Sequence, residues 1–363
     1  MPSPSHCAAL ATADIGLPFL YRHRVKRIAL VLALLSACRT SAPTPTPAAS
    51  DGPPLSERRW APVAVKGAPS ARHENAFVES GGKFYLVGGR RVQPVDIYDP
   101  TTGEWTAGAV APLPIHHFQA VSPPGDHRIW VIGALTGDYP DEPPIPQIHV
   151  YDTRTNTWST AGDIPEARRR GAAGLAYHKG KFYLAGGLTE GHSGGFVPWL
   201  DSYDPITQTW TALPDAPRPR DHFQLGVVGD RLVLAGGRTS SARTNEVMSL
   251  TIAEVDVYDI ATGTFSSLPA SGNLPTLRAG TSTVVLNDQL LVLGGESTAQ
   301  QPAHNEVEAL NLQTGRWTSL APLAEGRHGT GAVVWKGQIF TAAGSANRGG
   351  GPELQSLEAF RNR

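Results

Sequence analysis

Six cationic side chains stand in one fixed relation to a glycine pair or its remnant. Arg72 precedes Gly88 by sixteen residues, and the same interval separates His117 from Gly133, Arg170 from Gly186, Arg220 from Gly236, Arg278 from Gly294 and Arg327 from Ala343. Gathered at one opening, these groups would focus positive potential and favour a carboxylate, a sulfate or an acidic peptide. Arginines at a repeated position can instead bond loop carbonyls and bridge neighbouring repeats, and both readings stand at this point. His73, Glu74, Asp221, His222 and His328 lie beside the six and have the residue types of an acid–base or metal site. Their spacing is only that of the repeat. With no HExxH pair, no helical His pair and no EF-hand loop, neither a metal nor any other cofactor is expected.

The elements that would position these groups recur every 45 to 58 residues. In the first unit, 72–80 reads as a strand, Gly81-Gly82 as a tight turn, 83–87 as a second strand ending at the Gly88-Gly89 doublet, and 95–98 as a third. Asp99-Pro100-Thr101-Thr102-Gly103 is a turn by composition, and Glu104-Trp105-Thr106 opens a fourth strand. Later units repeat the tail as Tyr151-Asp152 with Trp158, Tyr203-Asp204 with Trp210, Tyr258-Asp259 with Phe265 and Leu310-Asn311 with Trp317. Four short antiparallel strands per unit, stacked so that each covers its neighbour, predict an all-β array of propeller blades.

Gly-Gly after an apolar strand, then Tyr-Asp-Pro, then Trp seven residues beyond the Tyr, resembles the kelch repeat over about residues 57–363. Two units depart from it, with Gly133-Ala134 and Ala343-Gly344. The resemblance implies a six-bladed kelch-type β-propeller with four-stranded antiparallel blades. The sixth unit ends on a third strand, Leu357 to Phe360, and its missing fourth strand is supplied by 59–63 from the start of the chain, closing the ring. Because strand one lines the axis in kelch propellers, the resemblance places Arg72, His117, Arg170, Arg220, Arg278 and Arg327 around the mouth as ligand-binding residues. Kelch adaptors use arginines at this position to hold acidic peptides. Long, dissimilar loops at 135–146, 188–198, 238–252, 296–304 and 345–353 open on the same face, whereas the opposite turns are short, which is the pattern of a binding rim on a rigid scaffold.

A net charge of −1 gives no footprint for nucleic acid. High Gly (39) and Pro (31) with only 17% charged residues suit an all-β chain with many turns. Both cysteines, Cys7 and Cys38, precede the repeats, so the repeat body has no disulfide, thiolate metal site or cysteine nucleophile. Residues 22–27 are cationic, 28–35 apolar, and Leu35-Ser36-Ala37-Cys38 resembles a bacterial lipobox, so 1–37 is read as an export signal and Cys38 as the site of lipid attachment. Such signals begin a few residues before the apolar run, and the natural start of translation is expected near Val25. Residues 38–56, rich in Pro, Ala and Thr, would form a tether, with a propeller over 57–363.

The expected protein is therefore a monomeric, non-catalytic, lipid-anchored component of the bacterial cell envelope that engages a protein or glycan at a basic mouth. The alternative is an epimerase or mutarotase for an acidic sugar, because sialic-acid mutarotases are also exported six-bladed kelch proteins that use Glu and Arg. Glu246, Glu254, Glu296 and Arg238 are the candidates for that role. The galactose oxidase type is excluded by the absence of a propeller Cys. Glu296-x3-Gln300-x3-His304 is similar to the iron motif of specifier proteins but has an amide in place of the central carboxylate, and reads as an ordinary loop.

Overall fold

Each aromatic pair of the repeat becomes a cross-strand contact. Tyr98 opposes Trp105, Tyr151 opposes Trp158, Tyr203 opposes Trp210 and Tyr258 opposes Phe265, with ring centroids 4.9–5.3 Å apart. Offset aromatic pairs at this distance add to plain area burial and fix the register of the third and fourth strands. The turn between those strands closes on the Asp or Asn that ends the third. Asp152 Oδ1 accepts the amides of Arg154 and Thr155, and Asp204, Asp259 and Asn311 do the same in their blades. These are Asx turns, in which the side chain substitutes for a backbone turn partner.

The computed structural model describes residues 54–362. The expected export signal, Cys38 and most of the expected tether lie outside the described residues. Within them the chain forms six four-stranded antiparallel sheets. Blade 1 comprises Asn75–Ser80, Lys83–Gly88, Pro94–Asp99 and Glu104–Val110. Blades 2 to 5 follow in order and begin at Ala120–Val121, Gly174–His178, Leu225–Val228 and Ser282–Leu286. Blade 6 takes Ala332–Trp335, Gln338–Ala342 and Leu357–Arg361 from the end of the chain and Arg59–Pro62 from its beginning.

Trp60 opposes Phe360 in that last blade, 5.4 Å between centroids, so the N-terminal strand supplies the aromatic partner every other blade carries for itself. Six apolar clusters fill the seams between successive blades. The seam from blade 6 to blade 1 packs Val333, Phe340 and Leu357 against Phe77, Phe84 and Trp105, and the seam from blade 5 to blade 6 includes Leu55 and Trp60. No seam is left open, which removes the exposed sheet edge of an open array.

The glycine doublet connects each blade to the next. The amide of Gly89 donates to Ile115 O, Gly187 to Arg220 O, Gly237 to Arg278 O, Gly295 to Arg327 O and Gly344 to Arg72 O. Gly88 takes φ +73°, and a Cβ there would lie 2.3 Å from Ile115 O. In blade 6 Ala343 occupies the corresponding site at φ +59°.

Candidate functional site

The sixteen-residue interval is a hydrogen bond. Arg72 donates to Gly88 O (2.8 Å), Arg170 to Gly186 O (2.7 Å), Arg220 to Gly236 O (2.8 Å), Arg278 to Gly294 O (2.7 Å) and Arg327 to Ala343 O (3.0 Å). Each guanidinium also meets a carboxylate on the third strand of its own blade: Asp96 (2.5 Å), Asp201 (2.8 Å), Asp256 (2.5 Å), Glu308 (2.6 Å) and Glu358 (2.6 Å). All five arginines are at most 2% exposed. Burial pulls Arg170 and Arg220 down to about 10, with Asp201 and Asp256 opposing it, so both remain cationic at neutral pH. Their Nη donors are engaged inside the blades, the Nε of Arg220 and of Arg327 is buried without a partner, and none of the five lines the axial cavity.

Blade 2 departs at both partners. The carbonyl that the doublet of blade 1 bonds belongs to Ile115, so Ile115 holds the arginine position and His117 stands two residues beyond it. The longer hairpin at 122–127, against two residues in blade 1, creates the coincidental sixteen-residue interval from His117 to Gly133. His149 replaces the carboxylate of the third strand. His117 is accordingly not the counterpart of the arginines, and its side chain faces elsewhere.

The position two residues past the arginine forms a second ring: Glu74, His117, Ala172, His222, Gly280 and Gly329 all take φ between +51° and +65°. Backbone bonds link them around the axis. His117 N donates to Glu74 O, Ala172 N to His117 O, His222 N to Ala172 O, Gly280 N to His222 O and Gly329 N to Gly280 O, and Asn75 N closes the circuit on Gly329 O. Left-handed backbone costs a non-glycine residue about 1–2 kcal/mol. Such strain concentrates at functional sites, and here three of the six positions carry ionisable side chains. The two glycines make room for them: a Cβ at Gly329 would come within 2.8 Å of Glu74 Oε1, and one at Gly280 within 3.4 Å of His328 Nδ1.

Above this ring opens a cavity of about 600 Å³ whose wall includes His73, Arg90, His192, Arg238, Glu296 and Arg348, within the usual range of ligand pockets. Below it the axis narrows to about 30 Å³, and two glutamines cross between blades. Gln119 Oε1 accepts the amides of Leu175 and Leu225, and Gln224 Oε1 accepts that of Thr283. The cavity is thus a blind cup floored by the strained ring.

The ionisable groups of the cup form two connected sets. On one side, Glu74 Oε1 lies 3.7 Å from His328 Nδ1, His328 Nε2 lies 3.5 Å from Glu296 Oε2, and Arg238 donates to Glu296 Oε1 at 2.6 Å. On the other, Glu142 accepts from Arg90 (3.0 Å) and from His192 Nδ1 (2.7 Å), while Asp221 Oδ1 accepts from His222 Nδ1 (2.5 Å). Burial pushes the Glu142 carboxyl up, but the bond from His192 and the charge of Arg90 outweigh it and hold the group at about 2. Burial raises Glu74, and the neighbouring His328 and Arg90 more than offset it, so the carboxyl sits below its usual range. Burial takes His116 down to about 4 and His117 well below the usual imidazole range, with His222 also lowered, so these rings are neutral at neutral pH.

Of the residues expected from sequence, His117 lines the cup while the five arginines stay in the blades. His73, Glu74 and His328, noted beside the repeat, reach it, and His222 lines the narrow space below. Arg238 and Glu296 are a bonded pair in its wall, whereas Glu246 and Glu254 do not line it. Glu142 and His192 come from irregular loops and had no sequence signal. Arg90 follows the first doublet directly, a register the repeat did not mark.

Residues 116–344 match the model of the KLHDC2/KLHL20/DRC7 Kelch-repeats domain. Over 89% of its length the chain is 27% identical to the Kelch-like protein terF of Aspergillus terreus, covering 71% of that protein. It is 23% identical to human Kelch-like protein 23 over 82% of this chain, and spans about half of that relative's length (49%). The solved structure titled "Structure of YjhT" superposes with a TM-score of 0.67 at 17% identity, covering 80% of this chain and 95% of that one, a likeness of fold.

Proposed function

The chain belongs to the kelch-repeat family, and from that premise we propose that it is a non-catalytic binding protein of the bacterial cell envelope, lipid-anchored through Cys38. Its ligand is a protein segment or glycan terminus bearing a carboxylate, held in the axial cup. The observation that carries this reading is Arg348. Its guanidinium reaches the cup, donates to Thr298 O at 3.1 Å and pairs with no carboxylate among the described residues. Arg90 and Arg238, by contrast, are already neutralised by Glu142 and Glu296. Tyr139, Val247 and Met248 give the same wall an apolar face, so the cup fits a ligand with one anionic group and a compact apolar body. Blind closure below limits what enters to a terminus or a single sugar unit.

A peptide and glycan array probed with wild-type protein and with Arg348→Ala tests the reading. Capture of carboxylate-bearing probes by wild type and loss of that capture in the variant is expected. Equal capture by both proteins, or capture without preference for a carboxylate, contradicts it. Anchoring predicts that Cys38→Ser moves the protein from membrane to soluble fractions, because acyl chains on that residue would hold it there.

The chain of Glu74, His328 and Glu296 favours a second reading, proton transfer from the anomeric hydroxyl and to the ring oxygen of an acidic sugar, which opens the ring and lets it reclose as the other anomer. Proton-exchange NMR on sialic and uronic acids separates the two: accelerated anomer exchange supports the enzyme, and an unchanged rate supports binding alone.

A further inference from the structure

His117, His192 and His222 come from three blades: His117 and His222 from ring positions of blades 2 and 4, His192 from a loop of blade 3. Their ring centroids form a near-equilateral triangle, 4.9, 5.0 and 4.8 Å on its sides, and each offers a ligand atom within 4.8 Å of the others. Their hydrogen bonds define which nitrogen is free. His192 Nδ1 donates to Glu142 and His222 Nδ1 to Asp221. His116 Nε2 is bonded to Gly137 O, so its Nδ1 is the acceptor for His117 Nδ1 at 2.7 Å. In all three rings the nitrogen left as an acceptor is Nε2. His222 Nε2 is buried and has no hydrogen-bond partner.

Three imidazoles whose rear nitrogens are fixed by carboxylates or by another bonded ring have the outer-shell pattern of metal ligands. Charge points the same way. Glu74, Glu142, Asp221 and Glu296 are four buried carboxylates against three guanidinium groups, Arg90, Arg238 and Arg348 at the rim, and the carboxylate excess favours a cation beside the imidazoles. Glu74 Oε2 lies 3.5 Å from His117 Nε2, close to the roughly 3.3 Å edge of a tetrahedron with metal–nitrogen bonds of about 2.0 Å. Arg90 Nη2 now lies 3.4 Å from the same nitrogen and must swing away. It is a quarter exposed, at 26%, and can do so into the cavity.

We infer that His117, His192 and His222 form a binding site for a divalent transition-metal cation of the zinc class, with Glu74 or a ligand oxygen completing the set on the cavity side. Imidazole donors suit Zn, Cu, Ni and Fe and disfavour Mg and Ca. The inference concerns these side chains alone and does not depend on the carboxylate ligand proposed above.

The test is titration of chelator-stripped full-length protein with Zn²⁺ by calorimetry and with Co²⁺ by visible absorption. One ion per chain is expected, with Co²⁺ giving the intense bands of a four-coordinate site. Asp221→Asn should weaken binding about 10–100-fold, and His192→Ala and His222→Gly should weaken it further. His222→Gly substitutes the residue that Gly280 and Gly329 already supply at this ring position, and His192→Ala lies in a loop, so both are expected to fold. Arg90→Ala should leave affinity equal or higher. No stoichiometric binding to wild type, or wild-type affinity in His192→Ala and His222→Gly, overturns the site.

Discussion

Two concentric rings, two residues apart in sequence, do opposite work. The outer ring of Arg72, Arg170, Arg220, Arg278 and Arg327 is charged, buried and paired: every guanidinium bonds its own blade's carbonyls and one carboxylate. The inner ring of Glu74, His117, Ala172, His222, Gly280 and Gly329 is strained, and its ionisable members face a cavity. Repetition therefore marks scaffold, and departure from repetition marks the site. Blade 2 supports this within one molecule, since it lacks the arginine and the acid together, having Ile115 and His149, and still forms four strands.

The largest effect should come from breaking one pair of the outer ring. Arg278→Ala leaves Glu308 buried without its cation and should cost about 3–5 kcal/mol, read from denaturant unfolding. The double change Arg278→Met with Glu308→Leu imitates blade 2 and should recover most of that loss, because an apolar pair of similar volume replaces a buried ion pair at little cost. If the double variant is as unstable as the single, the outer ring is more than a paired scaffold. Next in size is Gly329→Ala, which combines left-handed backbone with crowding of Glu74 and should destabilise by about 1–3 kcal/mol. His222→Gly relieves φ +52° but takes a donor from the buried Asp221 carboxylate, so the two effects oppose and stability should change by less than about 1 kcal/mol. A larger loss would mean that the bond to Asp221 outweighs the strain. Arg348→Ala, at the rim, should change unfolding by less than about 0.5 kcal/mol.

The scaffold was legible because its signals are local and repeated. Tyr and Trp fall at fixed offsets, Asx turns leave Asp and Gly in place, and Trp60 without an earlier blade announces a shared last one. The arginine register was also visible, but not its partner: the acid two residues before the aromatic, as in Asp96-Ile97-Tyr98 and Asp256-Val257-Tyr258, identifies the cation's role. Blade 2 misled because its longer hairpin shifted the interval by two residues and put His117 where Ile115 belongs. The cup was only partly legible. His73, Glu74, His222 and His328 ride on the repeat, while Glu142 and His192 reach the axis from loops whose course no periodicity records.

Array binding and denaturant unfolding, measured on the same preparations of the Arg278→Met/Glu308→Leu double variant and of Arg348→Ala, test the division of labour most directly. The account predicts that the outer-ring variant keeps the wild-type binding pattern despite losing a repeat arginine, and that Arg348→Ala loses the pattern with its stability intact. Loss of binding in the first with retention in the second would contradict it and return the ligand to the repeat arginines.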